Sequence, residues 1–110
     1  MNSQNKNLYI LGIYNEPVLA ACDGTVVYVG NKIKGYGNLI ILKHKNNYLS
    51  IYAYNNILLV HNKQQVKSGQ KISTMGHSNT NEIKLYFEIR HQGKKVNPLS
   101  VLPKKIKKFQ

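Results

Sequence analysis

Few side chains in this 110-residue sequence are equipped for catalysis. Histidine occurs at His44, His61, His77 and His91, cysteine only at Cys22, and acids only at Glu16, Asp23, Glu82 and Glu88. A hydrolytic metal centre asks for three protein ligands around an open fourth position, with a base close by. The histidines instead fall in turns or at the ends of apolar runs, at irregular spacing, and His44 reads as a structural or exposed side chain. A lone cysteine excludes an internal disulfide. Set in the apolar run Val18–Cys22, it reads as a small buried hydrophobe. Arg90 stands apart, because it is the only arginine among 16 basic residues. A planar guanidinium forks onto carboxylates and stacks on rings, which an ammonium cannot do. Arg90 is therefore the cation expected to have a specific role.

Short strands must position these groups. Asp23-Gly24 is a hairpin signal and predicts that Pro17–Ala21 and Thr25–Gly30 pair across it. Further strands are predicted at Asn38–Lys43, Tyr48–Tyr54, Ile57–Val60, Lys71–Met75 and Lys95–Val96. Turns are expected at His44–Asn47, Ser68-Gly69 and Gln92-Gly93. Ile83–Arg90 alternates: Ile83, Leu85, Phe87 and Ile89 share one face, and Lys84, Tyr86, Glu88 and Arg90 the other. No stretch keeps a 3.6-residue apolar period. Turns recur about every 8–12 residues, the pattern of an all-β sandwich or barrel.

The net charge is +12 with 42% apolar residues, so the chain has core material and a strongly cationic surface. Such a field favours anionic partners: nucleic acid, anionic lipid or cell-wall polymer. Lys, Asn and Ile supply 40 of the 110 residues, and their AT-rich codons offer genome composition as another source of the charge. No nucleic-acid motif and no helix with a basic face is present, so no nucleic-acid partner is expected. No run approaches the roughly 20 apolar residues of a membrane span. The N-terminus shows no signal peptide, which places the chain in the cytoplasm or downstream of a leader and other modules. The basic tail, residues 104–110, reads as a solvated end or a contact for an anionic surface.

Five segments together resemble the zinc cell-wall endopeptidases of the lysostaphin/LytM type. They are EPVLAACDGTVVYVG, GYGNLIILKH, YLSIYAYN, VKSGQKISTMG and LYFEIRHQGKKVNPLSVLP, and the likeness runs from about Asn5 to Pro103. GYGNLIILKH, LYFEIR and VNPL are most similar to the murein hydrolase activators of the NlpD type, and LYFEIR also to those of the EnvC type. The fold implied is an antiparallel LytM-type β domain over residues 1–103, a duplicated hybrid motif of barrel-sandwich character, with an open groove.

Active members of that family hold zinc through H-x-x-x-D and the second His of H-x-H, assisted by two further histidines. Asn5 and Tyr9 fall at the first motif, Lys84 and Tyr86 at the second, and Tyr54 at the His of a Tyr-Ala-His segment. None of the five is a His, Asp, Glu or Cys: a phenol is a poor zinc ligand at neutral pH because it holds its proton to a pKa of about 10, an amide is neutral and weak, and the Lys84 ammonium adds a positive charge beside any cation. The resemblance thus implies a protein without catalysis, metal or other cofactor. It implies instead a partner-binding groove of Lys6, Tyr9, Tyr36, Leu39, Tyr52, Tyr54, Lys84, Tyr86 and Arg90, with Tyr86 and Arg90 lining the open face. Its expected partner is the regulatory helix of a cell-wall N-acetylmuramyl-L-alanine amidase. Peptidoglycan is a second partner, and the setting is the periplasm or cell envelope of a Gram-negative bacterium. Membrane contact would come only from N-terminal modules outside this chain or from the basic tail. The alternative is a wall-binding or scaffolding module without activation.

Overall fold

The computed structural model describes residues 6–101. Nine strands run through them: β1 Asn7–Leu11, β2 Pro17–Leu19, β3 Gly24–Gly30, β4 Asn38–Lys43, β5 Tyr48–Leu58, β6 Gln65–Val66, β7 Lys71–Met75, β8 Lys84–His91 and β9 Lys94–Val96. All pairings are antiparallel. The main path is β1-β8-β5-β4-β3-β6, with β9 on β8 and β7 joining β5 to β2. A single helical turn, Pro98–Val101, follows β9. This is the all-β architecture expected from the turn spacing, with the antiparallel pairing that the resemblance implies.

Alternation along β8 divides the interior in two. Leu85, Phe87 and Ile89 join Val18, Val26, Ile40, Leu42, Tyr52 and Ile72 in the main core. Each such aliphatic side chain, fully buried, stabilises the fold by about 1.5–3 kcal/mol. Tyr86 points to the opposite face and packs with Leu39, Ile51 and Ala53 in a smaller cluster.

β5 is longer than expected and absorbs the predicted Ile57–Val60 strand up to Leu58. It bends at Tyr54, whose φ is +68°. Before the bend β5 pairs with β4 and β8; beyond it Asn55 still meets Asn38 of β4, and the strand pairs with β7. The buried Asn55 amide clamps the bend, donating to the carbonyls of Asn38 (2.8 Å) and Tyr52 (2.9 Å) and accepting from Ser73 Oγ (2.7 Å).

Two expectations are corrected here. Pro17–Leu19 pairs with β7, and β3 with β4 and β6, so Asp23-Gly24 joins no hairpin. Gly24 serves close approach instead: a Cβ there would stand 2.6 Å from the Lys43 carbonyl oxygen. Asp23 bridges loops, its carboxylate accepting from the Ser68 N–H at 2.8 Å and its carbonyl bonding His44 Nδ1 at 2.7 Å. Cys22, read as buried, is exposed; Ala20 and Ala21 take the interior positions of that run. The tail, residues 104–110, and Asn5 lie outside the described residues.

Candidate functional site

Four tyrosine rings converge on the face of the sheet opposite the main core. Antiparallel register sets Tyr9 of β1 directly across from Tyr86 of β8, with ring centroids 5.4 Å apart. Tyr36 lies 5.8 Å from Tyr86, and Tyr54 meets it edge-on at 6.4 Å. Tilted and edge-on ring pairs contribute about 0.5–1.5 kcal/mol each beyond area burial. Tyr36 reaches this place because Gly35 and Gly37 on either side take positive φ, +96° and +58°. Its carbonyl accepts the Tyr54 N–H at 3.0 Å, tying the β3–β4 turn to the bend in β5.

Exposure sorts the cluster into floor and rim. Tyr86 is 7% exposed and Leu39 2%, so both are floor. Tyr9 is 50% exposed, and Tyr36 and Tyr54 are half-buried. Lys84 Nζ lies 4.4 Å from the centroid of the Tyr9 ring and 2.8 Å from Glu82 Oε1. That bond raises the Lys84 pKa and lowers that of Glu82.

Beyond Tyr86 lies a group not singled out among the sequence candidates. Glu88 is fully buried. One carboxylate oxygen accepts the Tyr86 hydroxyl and the other accepts Arg90 Nε–H; Lys95 Nζ stands 3.8 Å away. Burial first, then the bond and charge of Glu88, push the Tyr86 phenol well above its ordinary value. The same carboxylate raises Arg90. Burial, then the neighbouring Tyr9, raises Tyr54. The signal for Glu88 was present in the sequence, as the acid sharing a strand face with Tyr86 and Arg90.

Tyr9, Tyr36, Leu39, Tyr54 and Tyr86 are thus brought together, with Lys84 over Tyr9 and Arg90 joined through Glu88. Lys6 precedes β1 and is half-buried. Tyr52 is a correction: it is 1% exposed and belongs to the main core. It faces Phe87 across the β5–β8 ladder, whereas Ala53 faces Tyr86. Its hydroxyl accepts the Ala21 N–H at 3.0 Å and bonds Ser50 Oγ at 2.8 Å. Tyr52 keeps the alternation with Ile51 and Ala53 and so faces the main core, whereas the left-handed residue at 54 breaks that alternation and brings Tyr54 to the tyrosine cluster. Tyr86, too, is a floor rather than an open-face side chain, because its neighbours' rings cover it.

The fit to zinc at this place is poor. The residues that the resemblance sets at metal-handling positions are three phenols, an ammonium and the Asn5 amide, the last outside the described residues. At Tyr86 and Tyr54 the phenolate that could bind a metal is further disfavoured. Among the described residues no three His, Cys, Asp or Glu side chains come together.

The profile of peptidase family M23 matches residues 3–98. The chain is 52% identical over 101 residues to the murein hydrolase activator NlpD of Escherichia coli K12, covering 92% of this chain and 27% of that protein. It is 51% identical over 96 residues to lipoprotein NlpD of Yersinia enterocolitica, covering 87% of this chain and 99% of that sequence. The chain therefore spans about a quarter of the length of the first curated relatives it matches (27%). Among solved structures, the catalytic domain of lysostaphin from Staphylococcus simulans superposes with a TM-score of 0.78 at 22% identity, covering 87% of this chain and 77% of that one, and shows the fold.

Proposed function

We infer that this chain, which belongs to peptidase family M23, works as a non-enzymatic activator of cell-wall N-acetylmuramyl-L-alanine amidases in daughter-cell separation. The groove floored by Tyr86 and Leu39 takes hold of an amidase regulatory helix and holds the amidase in its open state. The observation that carries this reading is the tyrosine cluster itself. By the resemblance, side chains poor at binding zinc fall at the positions where the family's active members handle it, and the rings of Tyr9, Tyr36 and Tyr54 pack against Tyr86. A floor of large rings with half-exposed aromatic rims and one arginine beside it has the composition of a protein-binding hot spot.

A helix laid on such a surface selects one of two states of the partner, and no bond need be made or broken in this chain. The relatives named murein hydrolase activators support the direction of this reading. The names lipoprotein NlpD and outer membrane antigenic lipoprotein B among relatives support an envelope setting.

The test is to add the chain to an amidase of the same organism acting on purified sacculi. The amidase rate should rise in proportion to chain bound, up to saturation. Sedimentation of the chain with sacculi alone, with no change in amidase rate, would point instead to a wall-binding module.

A further inference from the structure

The four acids of the chain are not equivalent. Glu16 and Asp23 accept backbone N–H groups in loops, at 2.9 Å from Ile13 and 2.8 Å from Ser68. Glu82 lies at the surface with Lys84 and Thr80. Glu88 alone is buried, in the centre of a strand, and its partners are all side chains: Tyr86, Arg90 and, at 3.8 Å, Lys95. A buried ion pair is poor value as a stabiliser, since apolar side chains of similar volume commonly do as well or better. In some proteins such a pair serves instead to fix a geometry.

We propose that Glu88 is a positioning residue of the groove, holding Arg90 by its Nε so that the guanidinium turns its terminal nitrogens outward to receive a carboxylate from the bound partner segment.

This rests on the groove reading given above. An arginine can meet a carboxylate by its side edge, Nε with one Nη, or by its end, with both Nη. Glu88 occupies the Nε. Among the described residues no hydrogen bond engages either Nη, and the Arg90 side chain is 37% exposed. The end-on edge is the one left for a ligand, and its chemistry selects a carboxylate. Tyr86 spends its hydroxyl proton on the same Glu88, so the floor gives the partner a ring rather than a polar donor. The matching segment is then apolar where it meets Tyr9, Tyr36 and Tyr54, with one acid placed over Arg90. The excess of basic side chains nearby, Lys95 and Lys84 among them, favours the same sign of partner.

The positioning can be read on the chain alone. Arg90 is the only arginine, so its Nε–H gives a single, self-assigned signal in ¹⁵N NMR. That proton should exchange slowly with water in the wild type and at least about tenfold faster in Glu88→Gln, where the ionic bond is gone. Unchanged exchange would overturn the proposal whatever the amidase does. The partner's acid is read in the activation assay. Neutralising one acid of the amidase's regulatory segment should lower activation about tenfold, and Arg90→Gln should add nothing to that loss. If every acid of that segment can be neutralised with less than a twofold effect while wild-type activation is intact, the proposal fails and the groove reading stands. If the wild type does not activate, the groove reading fails and the exchange result still decides the role of Glu88. Should Glu88→Gln not fold, Arg90→Lys carries the test. It keeps the charge and loses the fork, so activation should fall about as far as in Arg90→Gln; full activity would overturn the proposal.

Discussion

Removing a single oxygen, in Tyr86→Phe, separates what the groove floor does for the fold from what it does for a partner. The ring keeps its three aromatic neighbours at 5.4, 5.8 and 6.4 Å. What is lost is the hydroxyl that donates to Glu88, a fully buried carboxylate. Leaving a buried charged acceptor short of a donor costs about 1–3 kcal/mol. In a domain of this size each kcal/mol lowers Tm by roughly 4–8 °C, so melting followed by circular dichroism should move down by about 5–20 °C. The hydroxyl faces inward, so activation of the amidase at 25 °C, where the variant remains folded, should stay within about twofold of wild type. The opposite pairing, an unchanged Tm with activation lost, would place the hydroxyl on the partner and refute the inward assignment. Tyr86→Ala differs in kind: it removes the floor, costs about 3–5 kcal/mol, and should abolish activation.

The rim makes the complementary case: Tyr9 is 50% exposed, so Tyr9→Ala should leave the urea midpoint nearly unchanged while lowering activation by about tenfold or more. The core tyrosine governs alkaline stability. Burial pushes Tyr52 up to about 12 from 10.0. A raised folded pKa gives stability that is whole below about pH 10 and is lost as pH rises toward 12, roughly 2–3 kcal/mol for this group. Unfolding free energy from urea titration should therefore fall between those pH values, less steeply in Tyr52→Phe; equal slopes would show that Tyr52 does not titrate there. At Gly76 an added Cβ would stand 2.7 Å from the Tyr54 carbonyl oxygen and 2.9 Å from the Asn56 nitrogen, both backbone. Gly76→Ala should cost about 1–3 kcal/mol and displace the bend that delivers Tyr54, so Tm and activation should fall together.

Much of this was legible in the sequence, and the failures have physical causes. β8 was read almost to the residue because a half-buried strand writes its period of two directly into the chain. The resemblance set Tyr9 and Tyr86 at one site, but their direct pairing across β1 and β8 depends on register, which local pattern does not write. Tyr52 was misplaced because one left-handed residue, Tyr54, reverses the parity of the strand. Nothing in its identity announces that, since tyrosine is not a residue that favours positive φ. Asp23-Gly24 misled because the same dipeptide serves a tight turn and a close backbone approach equally well. The role of Glu88 was missed because its burial depends on where the Tyr86 hydroxyl and Arg90 guanidinium fold back, not on its place in the strand alone.

The most direct test of a working groove without catalysis is to incubate labelled sacculi with the purified, zinc-supplemented chain, with and without an amidase, and to identify the released fragments by mass spectrometry. The chain alone should release nothing. With amidase present, release should rise above the amidase-only rate, and every new fragment should be cut at the amide bond between the lactyl group and L-alanine. Cleaved peptide cross-bridges from the chain alone, with one zinc retained per molecule, would contradict the account.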